Sequence, residues 1–248
     1  MTDAILEAIG LTKCFGAVTA SDGLNLAIRR GAIHALIGPN GAGKSTAVAQ
    51  LSGEMAPDAG RIRFEGRDVT DWPTHRRARA GLQRSYQITS VFPTFSALDN
   101  VALAIQAQRP HSFRFWTDAR LDDSLRAPAR AVLERVGLGE RAAIKVTDLA
   151  HGEQRQLEIA MVLATGPTML LLDEPMAGMG QAESRRMMEI LKPLKGEVTI
   201  LLIEHDMDVV FALADVVTVL VKGRALATGA PDAIRADVAV RRAYLGDY

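Results

Sequence analysis

The stretch GPNGAGKST, residues 38–46, decides the fold of this 248-residue chain. It fits the pattern G-x-x-x-x-G-K-[ST], follows an apolar run at 33–37, and opens an apolar-periodic stretch at 44–51. A strand, a glycine-rich loop and a helix in this order form a loop that binds the phosphate groups of a nucleotide. The stretch therefore predicts an α/β protein that binds a nucleoside triphosphate.

Each residue type in this loop has a physical role. Backbone N–H groups around Gly41 and Gly43 point inward and, with the N-terminus of the following helix, form a cradle for an anion. Glycine is needed where a side chain would collide with phosphate. We expect Lys44 to reach the β- and γ-phosphates, Ser45 to ligate Mg²⁺ and Thr46 to contact the α-phosphate. An ordinary glycine-rich turn is the alternative, and the flanking strand and helix argue against it.

A second motif, LLLDEP at 170–175, ends a predicted buried strand. The apolar residues place Asp173 at the carboxyl end of that strand, where open α/β sheets bind their ligands. We expect Asp173 to hold Mg²⁺ through water, as the corresponding aspartate does in P-loop ATPases. The adjacent Glu174 would polarise the attacking water. An ordinary strand end is the alternative, and the phosphate-binding loop makes it less favourable.

Composition narrows the classes of function. Lys plus Arg and Asp plus Glu each number 29, so the net charge is zero and attracts neither nucleic acid nor an anionic bilayer. The basic run of Arg76, Arg77 and Arg79 is interpreted as a solvated helix face. One cysteine excludes an internal disulfide and indicates a reducing compartment. The sequence lacks an apolar stretch of about 18 residues and a signal-peptide pattern, so we expect a soluble chain that can dock on a membrane protein.

The order of predicted elements indicates a sheet domain with a helical insertion. Short or half-exposed strands come first, near-continuous apolar strands typical of a buried parallel sheet come last, and helical spacing lies between them. The predicted strands are 5–9, 24–28, 33–37, 61–65, 169–172, 198–203 and 216–221, with an edge strand at 224–228 after a hairpin turn at Lys222 and Gly223. The predicted helices of the insertion are 97–108, 121–136 and 152–164.

Further motifs complete a recognisable set. LAHGEQR at 149–155 opens a helix, Gln87 ends RSYQ, and His205 ends ILLIEH. With the two motifs above, this set resembles the ATP-binding subunit of an ABC transporter over essentially the whole chain. The length, the LAxGEQR-type signature and the ending AYLG at 243–246 are most similar to the branched-chain, or hydrophobic, amino-acid uptake branch.

The resemblance implies the fold class: an α/β P-loop NTPase (RecA-like) core, an antiparallel β-subdomain and an inserted helical subdomain, as in ABC ATPases. Residues 1–87 and 162–248 would form the ATP-binding core with the β-subdomain. Residues 88–161 would form the helical subdomain that carries the signature motif. Together they would make a single ABC ATPase domain over 1–248.

The resemblance also implies the site, with ATP and Mg²⁺ as its cofactors. The residues implied in catalysis are Glu174, His205, Gln87 and Lys44. The residues implied to hold Mg²⁺ are Ser45, Gln87 and Asp173. Phe15 would stack on the adenine ring. The residues implied to bind nucleotide are Phe15, Val18, Asn40, Gly41, Gly43, Lys44, Ser45 and Thr46 and, from the opposite subunit of a dimer, Ala150, His151, Gly152 and Glu153.

The signature motif gives a reason for that dimer. Gly152 begins a predicted helix, whose free N–H groups carry a partial positive charge. In the family this helix end faces the γ-phosphate on the opposite subunit, so hydrolysis requires a head-to-tail dimer. Two residues depart from the family pattern, because Ala150 stands at the usual signature serine and Gly180 at the usual D-loop aspartate. Both departures fit a subunit that works beside a non-identical ATPase.

The expected partners follow from the same resemblance. They are transmembrane permease subunits, a second ATPase subunit in a homodimer or paralogous heterodimer and, indirectly, a periplasmic or extracytoplasmic solute-binding protein, with no nucleic acid. The apolar residues suited to meet the permease are Ile88, Val91, Phe92 and Phe95. The chain would lie at the cytoplasmic face of the cell membrane and drive import of branched-chain or other hydrophobic amino acids or related small carboxylates.

Two other functions are open to a chain with these motifs. A soluble ABC-type ATPase without a permease, for example of the iron–sulfur cluster assembly type, has a similar length, and co-purification with membranes would separate it from a transporter subunit. A non-hydrolytic module regulated by nucleotide is the other. It is disfavoured because the chain retains Lys44, Asp173, Glu174 and His205.

Overall fold

The computed structural model of the chain describes residues 3–85, 91–108 and 122–245. Contacts within the chain divide it into two compact units. The first unit comprises Met1–Arg84, Thr168–Glu174 and Leu191–Tyr248, and the second comprises Ser85–Pro167 and Pro175–Ile190. The domain boundaries that the sequence predicts at 87/88 and 161/162 stay a prediction.

The described residues form strands and helices in a mixed order along the chain. The strands are β1 (Ala4–Phe15), β2 (Val18–Arg29), β3 (Ile33–Ile37), β4 (Ala59–Phe64), β5 (Arg67–Asp68), β6 (Leu82–Ser85), β7 (Met169–Asp173), β8 (Thr199–Ile203), β9 (Val216–Val221) and β10 (Arg224–Gly229). The α-helices are α1 (Lys44–Ser52), α2 (Thr74–Arg79), α3 (Ala97–Ala107), α4 (Asp123–Arg135), α5 (His151–Ala164), α6 (Gln181–Leu191), α7 (Met207–Leu213), α8 (Pro231–Ala236) and α9 (Val238–Val240).

The larger sheet of the described chain has six strands in the order β10-β9-β3-β8-β7-β6. β3 pairs in parallel with β8 and β9, and β7 pairs in parallel with β8. Every residue of β3, β7 and β8 is buried, which explains why their sequences are mostly apolar and confirms the predicted buried parallel sheet. β10 is antiparallel to β9 after the turn at Lys222 and Gly223, whose φ angles of 48° and 78° suit a tight hairpin.

The smaller sheet has four strands in the order β2-β1-β4-β5, and its described pairs are antiparallel. The predicted strands at 5–9 and 24–28 were too short, because β1 and β2 each extend over 12 residues. The sequence pattern breaks at Gly10 and Gly23, where φ is 61° and 62°. β1 continues past Gly10 through an irregularity in its register, which a local pattern of alternation does not reveal.

The interpretation of the basic run as a solvated face is wrong for Arg77. This side chain is 1% exposed, whereas Arg76 and Arg79 are exposed. Its guanidinium donates to the backbone carbonyls of residues that end α1 and precede α2: Gln50, Leu51, Thr70 and Trp72. Burial lowers its pKa to about 10, so the group remains a cation at neutral pH. Arg77 therefore satisfies the C-terminal carbonyls of α1, the helix that follows the phosphate-binding loop.

The second unit is built around α3, α4 and α5, which pack on one another through apolar faces. Ser96 caps α3 by accepting a hydrogen bond from the Asp99 backbone N–H, and Arg126 of α4 pairs with the Asp99 carboxylate at 3.0 Å. The predicted helices at 97–108 and 152–164 are confirmed within a residue. The helix predicted at 121–136 is α4, which begins at Asp123 because Asp122 is extended and caps it by accepting from the Ser124 N–H, and which ends at Arg135. Residue 121 lies outside the described residues.

Across residues 3–85, 91–108 and 122–245, none of the helices combines the length and the apolar character that crossing a membrane requires.

Candidate nucleotide-binding and hydrolysis site

The parallel strands bring the main sequence motifs to one edge of the larger sheet. β3, β7 and β8 run in the same direction, so their carboxyl ends lie together. The phosphate-binding loop follows Ile37 of β3, Asp173 ends β7, and His205 follows β8 by two residues. This edge is where open α/β sheets bind ligands.

The glycines of the loop are required by the protein itself as well as by a phosphate. Gly38 and Gly43 have φ angles of 150° and 102°. A Cβ atom on Gly38 would collide with the carbonyl oxygen of Leu220, and one on Gly43 with the carbonyl oxygen of Ala20. The loop therefore packs directly against the backbone of β9 at Gly38 and of β2 at Gly43, and only glycine leaves room for both contacts.

Helix α1 begins at Lys44 with an end that no side chain caps within the described residues, and its first turn holds no acidic residue. The first N–H groups of a helix have no acceptor inside it and carry the positive end of the helix dipole. Ser45 is exposed at this end and Thr46 is half-buried. The start of α1 therefore fits the predicted phosphate cradle.

The Lys44 ammonium lies inside the loop. Its Nζ donates to the carbonyl oxygens of Gly38 at 2.6 Å and Pro39 at 3.1 Å. Burial lowers the pKa of Lys44, while the negative charges of Glu174 and Asp173 act in the opposite direction. Phosphate oxygens form stronger, charge-assisted hydrogen bonds than neutral carbonyls do, so the ammonium can exchange these partners for a triphosphate.

The candidate metal ligands offer hard oxygen atoms. Asp173 is 6% exposed, and its Oδ2 accepts a hydrogen bond from Arg84 at 2.9 Å. In the described part of the chain, no group of three or more His, Cys, Asp or Glu side chains could hold a metal ion. Mg²⁺ commonly binds through one or two protein oxygens together with substrate phosphates. A carboxylate at Asp173 and a hydroxyl at Ser45 fit an ion that arrives with the nucleotide.

Glu174 occupies a backbone conformation that is uncommon for a residue with a side chain. Its φ angle is 49°, and its N–H donates to the carbonyl oxygen of Ile203 at 2.9 Å. Such conformations concentrate at functional sites, because the surrounding structure must hold them. The hydrogen bond ties Glu174 to the end of β8, two residues before His205. The His205 side chain is 67% exposed, and its Nδ1 lies 3.8 Å from the buried Glu204 carboxylate.

Phe15 and Val18 meet at the end of the β1–β2 hairpin. They are register partners, and they are 48% and 65% exposed. The Lys13 ammonium lies 6.0 Å from the Phe15 ring centroid. Ala20, two residues after Val18, lies against Gly43 of the loop. The hairpin therefore presents an exposed aromatic ring and an aliphatic side chain beside the phosphate cradle.

Replacing Phe15 with alanine is expected to weaken ATP binding by about 1 kcal/mol, roughly fivefold in Kd, because a stacked aromatic pair contributes on that scale. Calorimetric titration with ATP and with inorganic triphosphate checks this. The variant should lose affinity for ATP and keep its affinity for triphosphate, which has no ring to stack. Equal ATP affinity of the wild type and the Phe15→Ala variant would show that Phe15 does not stack on the adenine ring.

In the second unit, the signature residues lie at the N-terminus of α5. Ala150 and His151 are exposed and Gly152 is buried. The Ala150 side chain has no oxygen to cap the helix, but the Ala150 N–H donates to the Glu153 carboxylate at 2.9 Å. Arg141 pairs with Glu153 at 3.0 Å. The side chain of Ala150, the residue that precedes the helix, therefore accepts no hydrogen bond from the N–H groups of the first turn.

The second departure, Gly180, has the same local arrangement at the start of α6. Its N–H donates to Oε2 of Glu183 at 3.0 Å. The same carboxylate lies against Gly152, since a Cβ atom there would be 2.6 Å from Glu183 Oε1. At Gly180, where the family has an aspartate, the backbone N–H therefore bonds to the carboxylate of Glu183, three residues further along the chain. A side chain at 152 would displace that carboxylate.

The structure also reveals residues that the motifs did not single out. Arg84 contacts Asp173, and Glu183 contacts Gly152. The available signal was an arginine within the short strand β6, three residues before Gln87, and a glutamate three residues after Gly180. Gln87 itself lies outside the described residues, so its predicted catalytic and metal roles stay predictions.

The fold and the gathered motifs define a P-loop nucleotide-binding protein. A family model described as "ABC transporter" matches residues 21–177. A second, described as "Branched-chain amino acid ATP-binding cassette transporter", matches residues 226–248. The chain belongs to the ABC transporter family, as an ATP-binding subunit, and the predicted fold class, ATPase identity and ATP ligand are confirmed.

Curated relatives and solved structures agree with this membership. The chain is 38% identical over 254 residues to the high-affinity branched-chain amino acid transport ATP-binding protein BraF of Pseudomonas aeruginosa, with 100% of each chain covered. It is 36% identical to LivG of Escherichia coli, which bears the same description, again over 100% of each chain. The ADP conformation of an ATP-binding cassette of an ABC transporter superposes with a TM-score of 0.86 at 28% identity, covering 99% of this chain and 100% of that one.

Proposed function

We propose that this chain hydrolyses MgATP to drive an importer for branched-chain or other hydrophobic amino acids. The observation that carries the proposal is the meeting of Lys44, Asp173, Glu174 and His205 at one edge of the parallel sheet. The similarity of the whole chain to BraF and LivG supports amino acids as the transported solute. The comparisons do not favour the soluble alternative, because these relatives are transport proteins.

Some residues of the site bind the nucleotide and its metal ion, and others act on the attacking water and the γ-phosphate. The loop N–H groups and Lys44 hold the β- and γ-phosphates, while Ser45 and Asp173 hold Mg²⁺. When bound, Mg²⁺ supplies positive charge to the phosphate oxygens. Glu174 accepts a proton from the attacking water, and its strained backbone keeps the carboxylate at the end of β7. His205 lies near the end of β8 and stabilises the γ-phosphate as a donor.

The site is completed by a second ATPase subunit. The N-terminus of α5, with Ala150, His151, Gly152 and Glu153, is proposed to face the γ-phosphate bound by that subunit. Its uncapped N–H groups are suited to a phosphate oxygen. Because Ala150 contributes no hydroxyl and Gly180 no carboxylate, we propose that the partner is a paralogous ATPase whose own residues complete the second site.

Exposed aromatic side chains in the second unit support docking on a permease. Phe92 and Phe95 are 52% and 36% exposed, and their ring centroids are 5.4 Å apart. Exposed aromatic pairs are typical anchors of protein interfaces. The chain would bind the permease at the cytoplasmic face of the membrane, and a solute-binding protein would deliver the amino acid from the other side. Ile88, predicted for the same surface, lies outside the described residues.

Uptake in living cells tests the proposal. Deleting the gene in the organism that encodes the chain should abolish ATP-dependent uptake of labelled leucine, isoleucine and valine while leaving uptake of an unrelated solute, such as phosphate, unchanged. The wild-type chain should restore uptake, and a Glu174→Gln variant expressed at the same level should not, because it binds ATP without hydrolysing it.

Two results would contradict the proposal. Normal amino-acid uptake in the deletion strain, with no paralogue induced, would remove these solutes from its function. Failure of the tagged chain to co-purify with permease subunits from membranes, together with a defect in iron–sulfur enzymes, would favour the soluble alternative.

A further inference from the structure

Arg84 lies beside the proposed metal site at the edge strand β6, which neighbours β7 in the larger sheet. Gly81, just before β6, accepts a hydrogen bond from the Met169 N–H at the start of β7, at 3.1 Å. Arg84, near the end of β6, donates to Asp173 at the end of β7, at 2.9 Å. The two strands therefore run in the same direction, and β6 brings Arg84 to the edge that gathers the nucleotide-binding motifs.

The guanidinium of Arg84 joins two carboxylates. One terminal nitrogen donates to Glu54 Oε2 at 2.6 Å and the other donates to Asp173 Oδ2 at 2.9 Å. Glu54 follows Gly53, the residue that caps the C-terminal end of α1. Arg84 thus links the helix of the phosphate-binding loop to the strand that ends in Asp173. Because a guanidinium is planar and its N–H groups form a fixed fork, this contact sets the direction of both carboxylates.

The contact with Asp173 is shielded from water. The exposed fractions of the side chains are 12% for Arg84, 5% for Asp173 and 33% for Glu54. A carboxylate buried to this degree needs a hydrogen-bonding or charged partner. Arg84 provides that partner at Oδ2, and the other oxygen of Asp173 can accept from a metal-bound water.

We propose that Arg84 is a positioning residue for the ATPase reaction: it orients the Asp173 carboxylate toward Mg²⁺ and fixes it to the loop helix through Glu54. This inference rests on the proposed role of Asp173 in holding Mg²⁺. The charge of Arg84 by itself opposes a cation at that place. Orientation and charge therefore predict opposite effects on Mg²⁺ binding when Arg84 is removed.

Calorimetry of ADP binding, with EDTA and with Mg²⁺, separates these effects. In Arg84→Met, ADP affinity in EDTA should equal that of the wild type, because Lys44 and the loop carry it. The gain in ADP affinity on adding Mg²⁺ should fall roughly tenfold, the scale of losing an outer partner of a metal-ligating carboxylate. Mn²⁺ electron paramagnetic resonance with ADP should report the same weaker ion binding.

Further variants distinguish orientation from charge. Arg84→Lys keeps the charge without the fork and should recover only part of the Mg²⁺ effect. Glu54→Gln should weaken Mg²⁺ binding less than Arg84→Met, and the double variant should equal Arg84→Met, because Glu54 acts through Arg84. As a control, Arg30→Met breaks an ion pair with Glu65 whose side chains are 51% and 35% exposed, and should leave Mg²⁺ binding unchanged.

Several outcomes would overturn the inference. They are an unchanged or larger Mg²⁺ effect in Arg84→Met, an equal loss of ADP affinity with and without Mg²⁺, or full recovery by Arg84→Lys. If Arg84→Met does not fold, Glu54→Gln decides, and an unchanged Mg²⁺ effect there overturns the inference. A wild-type chain whose ADP affinity does not respond to Mg²⁺ would remove the proposed metal site as well, whereas the other outcomes overturn the role of Arg84 alone.

Discussion

A Glu174→Gln variant is expected to bind MgATP with the affinity of the wild type and to hydrolyse it at least about 100-fold more slowly, the scale of losing a general base. Glutamine keeps the size and the hydrogen bonding of glutamate but removes the charge that accepts a proton from water. It also tolerates the same backbone, so the φ angle of 49° and the N–H bond to Ile203 need not change.

The phosphate contacts should survive this substitution, because none of the contacts of Lys44, Ser45 or Asp173 uses the Glu174 carboxylate. ATP that is bound but not hydrolysed should favour the closed dimer. We therefore expect light scattering to show ATP-dependent association of the variant when the candidate partner ATPase is present. The same measurement on the variant alone serves as the comparison.

Phosphate release under single-turnover conditions measures the chemical step. Glu65→Gln serves as a matched control for the loss of one carboxylate, because Glu65 is an exposed glutamate with a φ angle of 50°, and this variant should retain wild-type activity. Near-normal phosphate release by Glu174→Gln would show that another residue activates water, and His205 would become the leading candidate.

The sequence predicts those parts of the site that are contiguous along the chain. The loop at 38–46 and the end of β7 were located because local composition and flanking apolar runs determine them. Their meeting at one edge also follows from the sequence, since buried parallel strands align their carboxyl ends. The resemblance to a family added Phe15 and Val18, which the hairpin does bring together.

Contacts between residues distant in sequence could not be predicted in this way. Arg77 is buried because α1 ends against it, 26 residues away at Leu51, and no local pattern distinguishes it from the exposed Arg76. Arg84 reaches Asp173 across 89 residues only because β6 neighbours β7. Charged side chains in both cases satisfy buried polar groups, and such pairing depends on the tertiary fold.

The second large effect is expected at Lys44. Lys44→Ala should weaken ATP binding by about 2–3 kcal/mol, roughly 100-fold in Kd, because it removes charge-assisted hydrogen bonds to the β- and γ-phosphates. The ammonium also donates to the carbonyls of Gly38 and Pro39, so its loss could disturb the loop as well as the ligand contact.

Calorimetry with ATP, ADP and AMP distinguishes these two causes. Loss of the phosphate contact predicts a large effect on ATP and ADP and little on AMP, which has no β-phosphate, whereas a disturbed loop predicts weaker binding of all three. Lys195→Ala is a suitable control. Lys195 pairs with Asp215, and Asp215 bonds to the Ile33 N–H at the start of β3, the edge of the sheet opposite the loop. Unchanged ATP affinity in Lys44→Ala, with Lys195→Ala also unchanged, would show that the loop at 38–46 does not bind the triphosphate.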